Sequence, residues 1–552
     1  MTDQSRRWLL PATIGLLALA ACITSIGHDF TYDDRYVILL NNRVHSLRWF
    51  WNFFVQSYWP PRYGGDGYRP VVILLFALQW AVGGGAAWVF HLANIVLAVA
   101  TALAVYWMAA ALLPPLGAWL TAALFAVHPV HVEATGNMVG QAELIVGLFV
   151  ALAMGLYLRR RREGGELGAR DVGVLALLYA VALFSKEHAA VFPLLLLVAE
   201  WTVVRDDRPW RTRIATVRPL FLVLIAVTLG YVKLRSLVQA DLTGFAPYVA
   251  FHFLKMDQLS RIGTMLHEFP RIGQLVLFPT RLSADYSPND VIIANGIGLD
   301  ELPGIMMVIC TVVLAFALRR RAPVASFGLF WFIVAYAPVS NVLVPTGIVT
   351  AERTLFLPSV GVVLVVAVTM LYLIEHAPRP RRALVGGVAV LLLVLGLGKS
   401  ISRQRVWRDN DALFDATVRD APLSYRAHLL RGRALAQKQR LRDAEAELRR
   451  AIRIFPYDAG ATLDVAEAYK RSGICQAALP LYEWSFAIDS TLRDGRSGYV
   501  YCLSVVGRWV ETRQQALAGL RYGFPAEGKY LRNAVFVADS ALGRPLRKRP
   551  PT

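Results

Sequence analysis

The sequence predicts an all-α protein in two parts: a polytopic membrane helical bundle of about eleven transmembrane helices and a C-terminal helical-repeat α-solenoid. Three observations carry that reading. The 552-residue chain is 56% hydrophobic and only 18% charged, with a mean hydropathy of +0.45, far more apolar than a soluble domain of ordinary composition. Apolar runs of membrane length alternate with short arginine blocks through most of the chain. From about Ser402 onward the composition turns charged and alanine-rich, and a period of 34 residues emerges. The formal net charge of +19 lies largely in the arginine blocks, which mark cytoplasmic loops. No basic soluble domain with interleaved aromatics is visible, so no nucleic-acid partner is expected.

Taken in order, Arg6 and Arg7 precede the apolar run 8–27, which ends in AACITS, a poor cleavage site. A retained first membrane helix is expected rather than a signal peptide. Further crossings are expected at 88–113, 116–131, 138–158, 171–185, 188–204, 217–235, 303–318, 324–342, 353–374 and 383–400. The basic blocks are Arg6 with Arg7, Arg159 to Arg162, Arg205 to Arg218, Arg319 to Arg321 and Arg379 to Arg382. All of them fall in the cytoplasm if the short run 69–83, RPVVILLFALQWAVG, lies along the outer interface instead of crossing. The N-terminus is then cytoplasmic, and the tail is extracytoplasmic. The outer side also receives the loop 28–87, the turn HPVHVEATGNMVGQAE, the step SKEH, the loop 236–302 and the AER step.

That orientation, set by arginines alone, gathers the chain's other polar oddities on one membrane face: Asp33, Asp34, Arg69, His128, His131, Glu133, Gln141, Glu143, Lys186, Glu187, His188, Glu352 and Arg353. Ionisable groups at membrane depth are expensive, which makes them functional candidates. Each has a plainer reading. The adjacent carboxylates Asp33 and Asp34 in TYDDRYVILLNN could end a helix in solvated turn residues, or one could take a proton from an attacking hydroxyl while its neighbour supports it. Arg353 could snorkel to headgroups or bind a phosphate bidentately. Lys186 faces the same choice, with the added alternative that Lys186 and Glu187 neutralise one another; Arg69 would be a third cation. His128, His131 and Glu133 offer metal donors, but H-x-x-H-x-E is not a zincin spacing and the proline after His128 breaks the helical face. No metal site is expected there; a donor or acceptor pocket is. GGDG and WAVGGG lack the lysine and the strand-to-helix context of a nucleotide loop.

In the tail, Gly432, Leu435, Ala444, Leu448 and Ala451 recur 34 residues later as Ala466, Tyr469, Ala478, Tyr482 and Ser485. This is the tetratricopeptide spacing, in which small residues let two antiparallel helices approach. The expected domains are 1–401 for the membrane part, 402–525 for the repeats and 526–552 for a last helix and basic tail. Such repeats bind peptide or protein, or serve oligomerisation. Cys22 and Cys310 are expected to pack in apolar runs, and Cys475 and Cys502 either pair or stay free thiols.

As a set and in this order, TYDDRYVILLNN, YRPVVILLFALQWAVGGGAAWVFHLANIVLAVA, HPVHVEATGNMVGQAE, SKEH, AERTLFLPSVG and RQRVWRDNDALF resemble the transmembrane and tetratricopeptide repeat O-mannosyltransferases. These are relatives of the protein O-mannosyltransferases in the GT-C glycosyltransferase class. The resemblance implies a multi-pass enzyme that moves a mannose-like sugar from a polyprenyl-phosphate carrier to an acceptor hydroxyl, on protein, at the outer face and with inversion. It implies Asp33 as the general base or acceptor-orienting carboxylate, supported by Asp34, with Arg353, Lys186 and Arg69 on the donor phosphate. His128, His131, Glu133, Gln141, Glu143, Glu187, His188 and Glu352 would line the donor or acceptor pocket. No tightly bound cofactor is expected, and the acidic groups leave a divalent metal open. The arginine-rich, alanine-rich composition suggests a bacterial inner membrane. The rival readings are a polyprenyl-linked-sugar flippase, which would call for repeated halves with broken helices, and a membrane-anchored repeat scaffold.

Overall fold

The computed structural model describes residues 3–60, 67–162, 165–239, 256–346, 348–490, 492, 494–522 and 527–545. Parts of the expected outer loops, 61–66 and 240–255, and the basic tail from 546 lie outside the described residues. All elements among the described residues are helical. The chain forms two compact units, Met1–Ala284 with Ile292–Leu413, and Asp285–Val291 with Phe414–Thr552.

The first unit holds α1 (Asp3–Cys22), α2 (Pro70–Gly83), α3 (Ala87–Ala109), α4 (Pro115–Ala126), α5 (Val132–Gly136), α6 (Gln141–Arg161), α7 (Ala169–Leu183), α8 (Phe192–Thr202), α9 (Trp210–Gln239), α10 (Gln258–Leu277), α11 (Leu302–Leu318), α12 (Pro323–Tyr336), α13 (Phe356–His376) and α14 (Arg379–Gln404). Proline at the first turn starts α2, α4, α8, α11, α12 and α14, where its missing N–H costs nothing.

Among the described residues six helical segments are long and apolar enough to cross a membrane: Trp8–Gly27, Ala87–Ala109, Met138–Arg161, Trp210–Gln239, Glu352–His376 and Arg379–Trp407. A seventh is counted if Pro115–Ala126 and Pro129–Gly136, bent by 49°, form one span. This is a membrane protein, but helix lengths do not reproduce the eleven crossings expected from hydropathy. The expected span 116–131 breaks at His128-Pro129, where proline cannot continue the backbone ladder and the His128 ring instead accepts the Val130 N–H at 3.3 Å. At 14 residues, α2 is about 21 Å long against a hydrocarbon core of about 30 Å. It stops at Gly84, whose φ of 57° suits glycine.

Close helix crossings are built on small residues. A Cβ on Gly361 of α13 would sit 2.2 Å from the Gly328 carbonyl oxygen of α12. Beside this crossing Trp331 is fully buried and donates its indole N–H to the Leu357 carbonyl at 2.9 Å. The arginine block ending α6 is not simply solvated. Arg161 is buried and bonds Glu200 at 2.7 and 3.1 Å and Asp206 at 3.0 Å, and the Tyr157 hydroxyl adds 2.8 Å to Glu200. Cys22 is buried as expected, whereas Cys310 is exposed.

In the second unit α16 (Tyr425–Gln437) pairs with α17 (Leu441–Ile454), and 34 residues on α18 (Ala459–Arg471) pairs with α19 (Cys475–Ile488), after a leading α15 (Asn410–Asp420). A further pair, α20 (Arg496–Val505) with α21 (Trp509–Tyr522), precedes α22 (Gly528–Ala541). Gly432 lets α16 approach α17 so closely that a Cβ there would meet Leu448 at 2.6 Å. Ala444, Leu448, Ala451, Ala466, Ala478, Tyr482 and Ser485 are all buried. Cys475 and Cys502 form a disulfide across 27 residues. The segment 285–291 belongs here because Asp285 accepts from the Ser424 hydroxyl at 2.6 Å and the Asn289 N–H donates to the Leu423 carbonyl at 2.9 Å.

Candidate active site

Four polar turns of the first unit interlock through their charges. The first carries the acidic pair. Tyr32 holds a left-handed φ of 50°, costly for an aromatic residue and typical of over-determined functional turns; its N–H is fixed by Asn410 Oδ1 at 2.8 Å. The two carboxylates then part company. Asp34 is fully buried and turns inward, accepting from the N–H groups of Thr31 at 3.1 Å, Met138 at 3.3 Å and Val139 at 2.9 Å. It clasps the first turn to the second. Burial pushes its carboxyl up to about 7 against the pull of those amides, and the charge of Asp33 adds to the rise. Asp33 keeps 18% of its side chain exposed, and its Oδ2 lies 4.0 Å from Arg353 Nη2. A π-helical turn, Arg35–Leu39, follows directly.

Arg353 is held from behind. Glu133, buried to 1%, accepts the Arg353 backbone N–H at 2.8 Å with one oxygen and pairs with its guanidinium through the other. The approach to Arg353 is pinned by Asn341, itself at a φ of 57°, which donates to the carbonyls of Ile348 at 2.9 Å and Val349 at 3.0 Å and accepts the Thr346 N–H at 2.6 Å. Glu352 points away, accepting the Ser283 N–H at 2.6 Å.

The SKEH step supplies the other cations. Lys186 pairs with Glu143, and His188 Nε2 stands 3.3 Å from the other oxygen of that carboxylate. Glu187 pairs bidentately with Arg69, at 3.3 and 3.1 Å, and the Arg69 guanidinium lies over the Tyr58 ring at 4.7 Å. Lys186 and Glu187 feel one another's charge, but each takes its ion-pair partner from a different turn. Burial lowers the Lys186 ammonium, with Glu143 opposing. Burial would raise Glu187, but Arg69 holds it well below the usual carboxylate range. Lys186 feels the charges of both Arg69 and Arg353, and Asp33, Glu133, Glu143 and Glu187 pair with or stand near these three cations.

Three expected pocket residues are engaged by the fold, and two of them, His128 and His131, also line a small cavity. His128 donates from Nε2 to the Val276 carbonyl at 3.0 Å while Nδ1 caps the Val130 turn. His131 meets the Ser359 hydroxyl at 2.8 Å and packs between Phe125 and Phe356, centroids 4.3 and 4.6 Å away. Gln141 exchanges amide hydrogen bonds with Gln79 at 2.9 and 3.1 Å, tying α6 to α2. Among the described residues no group of three or more His, Cys, Asp or Glu side chains is arranged as metal ligands.

No protein-family model matches the chain. Human protein O-mannosyl-transferase TMTC4 is 24% identical over 481 residues, covering 77% of this chain and 63% of TMTC4. Protein O-mannosyl-transferase Tmtc1 of Drosophila melanogaster is 26% identical over 552 residues, covering 82% and 63%. Over most of its length the chain is similar to protein O-mannosyl-transferases. It spans less than two thirds of the length of these curated relatives. They are animal proteins, which gives the bacterial expectation no support. Among solved structures, the Archaeoglobus fulgidus oligosaccharyltransferase AglB, in complex with an inhibitory peptide and a dolichol-phosphate, aligns at 12% identity with a TM-score of 0.41, covering 73% of this chain and 56% of that one.

Two residues of the cluster receive no site role from the sequence alone. Asn410 fixes Tyr32 from far along the chain, and Tyr58 lies in the aperiodic stretch SYWPPRYGGDGYRP.

Proposed function

We propose that the chain is a membrane glycosyltransferase that moves a sugar, mannose by the names of its relatives, from a polyprenyl-phosphate carrier to an acceptor hydroxyl on protein, at the outer face and with inversion. The observation that carries this reading is the approach of Asp33 to Arg353, 4.0 Å apart although far apart in sequence. Base and phosphate binder flank one reacting carbon in an inverting displacement, so the pair has to part when the donor enters between them. Asp33 takes the proton of the acceptor hydroxyl as its oxygen attacks the anomeric carbon. The bond from that carbon to the phosphate oxygen breaks, and the phosphate leaves with the electron pair. Arg353, with Arg69 and Lys186, stabilises the charge that builds on it. Glu133, Glu143 and Glu187 keep the three cations charged and oriented before the donor arrives, so little reorganisation accompanies reaction.

Asp34 is the positioning residue of this pair, clasping the base's turn to the 138–140 turn. The helix pairs of the second unit are read as a tetratricopeptide array that binds the acceptor polypeptide. A cytoplasmic N-terminus and an extracytoplasmic tail follow from the arginine blocks, and the Cys475–Cys502 disulfide supports an oxidising compartment for the tail. The test is direct: purified chain in lipid vesicles, supplied with polyprenyl-phosphate mannose and an acceptor peptide library, should yield peptides carrying a hexose, read by mass spectrometry. Intact donor and unmodified peptides after prolonged incubation would defeat the reading.

A further inference from the structure

In the charged cluster described above, the Tyr58 hydroxyl is buried and has no hydrogen-bond partner among the described residues, and the residue is 2% exposed. Its ring is held firmly. The Tyr58 N–H donates to the Gly67 carbonyl at 2.7 Å, and Gly67, at a φ of 76°, comes so close that a Cβ on it would lie 3.2 Å from Tyr58 Cβ. Arg69 covers one face of the ring. A fold does not gain by burying a hydroxyl it leaves unpaired, and such groups in native proteins call for a specific explanation. The surroundings point to one, since Arg69, Asp33, Asp34 and Arg353 all act electrostatically on this phenol.

We propose that the Tyr58 hydroxyl donates a hydrogen bond to the phosphate of the lipid-linked donor, beside Arg69 and Arg353. The proposal rests on the glycosyltransferase reading and adds a phosphate-binding residue to it. A phenol beside the Arg69 guanidinium, with the charge of Arg353 in electrostatic reach, completes a donor set for an anionic oxygen, because each of these groups offers N–H or O–H. Burial also raises the phenol above its ordinary range, so it stays protonated and able to donate throughout the physiological range. The Arg69 contact fixes the ring rather than consuming the hydroxyl, so the donor is set in place before the ligand arrives.

Tyr58→Phe keeps the ring and its contact with Arg69 and deletes only the hydroxyl. With the full chain in vesicles of neutral phospholipid, the affinity for undecaprenyl phosphate is measured beside that for inorganic phosphate, together with the ligand-free melting temperature. The expected result is a ten- to hundredfold weaker affinity for undecaprenyl phosphate in the variant, a matching rise in the donor KM, and a ligand-free melting temperature that is unchanged or higher. Equal affinity in both proteins overturns the proposal and leaves the glycosyltransferase reading standing. Weaker binding accompanied by a lower ligand-free melting temperature makes Tyr58 a structural prop and also overturns it. Wild-type binding of inorganic phosphate without undecaprenyl phosphate overturns the lipid source, and wild-type binding of neither overturns both readings.

Discussion

Replacing Glu133 by Gln tests whether Arg353 is held in place for chemistry. The carboxylate accepts two donors from one residue, the Arg353 N–H at 2.8 Å and its guanidinium. An amide keeps one acceptor oxygen and turns its NH2 group toward the other donor, so one contact becomes a donor–donor clash and the buried positive charge loses its closest counter-ion. Breaking a buried pair in this way costs about 3–5 kcal/mol. Asp33 recovers part of that cost: a full charge at its 4.0 Å distance attracts Arg353 by about 4 kcal/mol before desolvation, at an effective dielectric of about 20. The recovery works against catalysis, because Arg353 then swings onto the base. Transfer should therefore fall by about a hundredfold or more, with destabilisation of about 2–3 kcal/mol. The assay is a double-mutant cycle of Glu133→Gln and Arg353→Gln, read by sugar transfer and by thermal unfolding in detergent. A coupling of at least about 2 kcal/mol in unfolding is expected. Additive effects, or full activity in Glu133→Gln, would refute the claim that Glu133 orients Arg353.

Three other predictions follow from neighbouring contacts. Glu187→Gln should loosen Arg69 and raise the donor KM about tenfold, corresponding to about 1.5 kcal/mol for a charged hydrogen bond, with kcat nearly unchanged; an unaltered KM would count against Arg69. The Asp34 carboxyl stands at about 7 in the fold, well above the range of a free aspartate, so the folded state binds this proton more tightly than the unfolded state does. Its contribution to stability should therefore decline as pH rises from about 4 to 7, by an amount on the order of 4 kcal/mol, and level off above that. The difference in melting temperature between wild type and Asp34→Asn across that range reads it, and a wild type that gains on the variant as pH rises contradicts the assignment. Cys475→Ser opens a loop of 27 residues, which should cost about 3 kcal/mol and speed trypsin cleavage of the repeats in the full chain; reductant should have the same effect on wild type and none on the variant.

The arginine blocks lead the sequence reading to expect Asp33 and Arg353 on one membrane face, and in the structure the two side chains approach to 4.0 Å. What no linear pattern encodes is who pairs with whom on that face. Glu133 takes Arg353, Glu143 takes Lys186 and Glu187 takes Arg69 because the turns are folded against each other, whereas neighbours such as Lys186 and Glu187 point apart. His128 and His131 looked available because the sequence cannot show that Val276, Ser359 and two phenylalanines come to meet them. Helix length among the described residues selects fewer spans than hydropathy does for a similar reason. Hydropathy registers continuous apolar runs, while His128-Pro129 breaks one and α8 closes after 11 residues. The 34-residue period is visible in helix boundaries at α16 to α19. The attachment of 285–291 to the second unit, and its border at 413 rather than 401, leave no mark in composition.

The most direct test of the central claim compares wild type with Asp33→Asn in the same vesicle transfer assay, with undecaprenyl phosphate binding and melting temperature measured in parallel. Wild type should transfer sugar, while the variant loses at least about a hundredfold in rate, melts within about 1 kcal/mol of wild type and still binds the lipid. A variant that transfers at the wild-type rate would contradict the account.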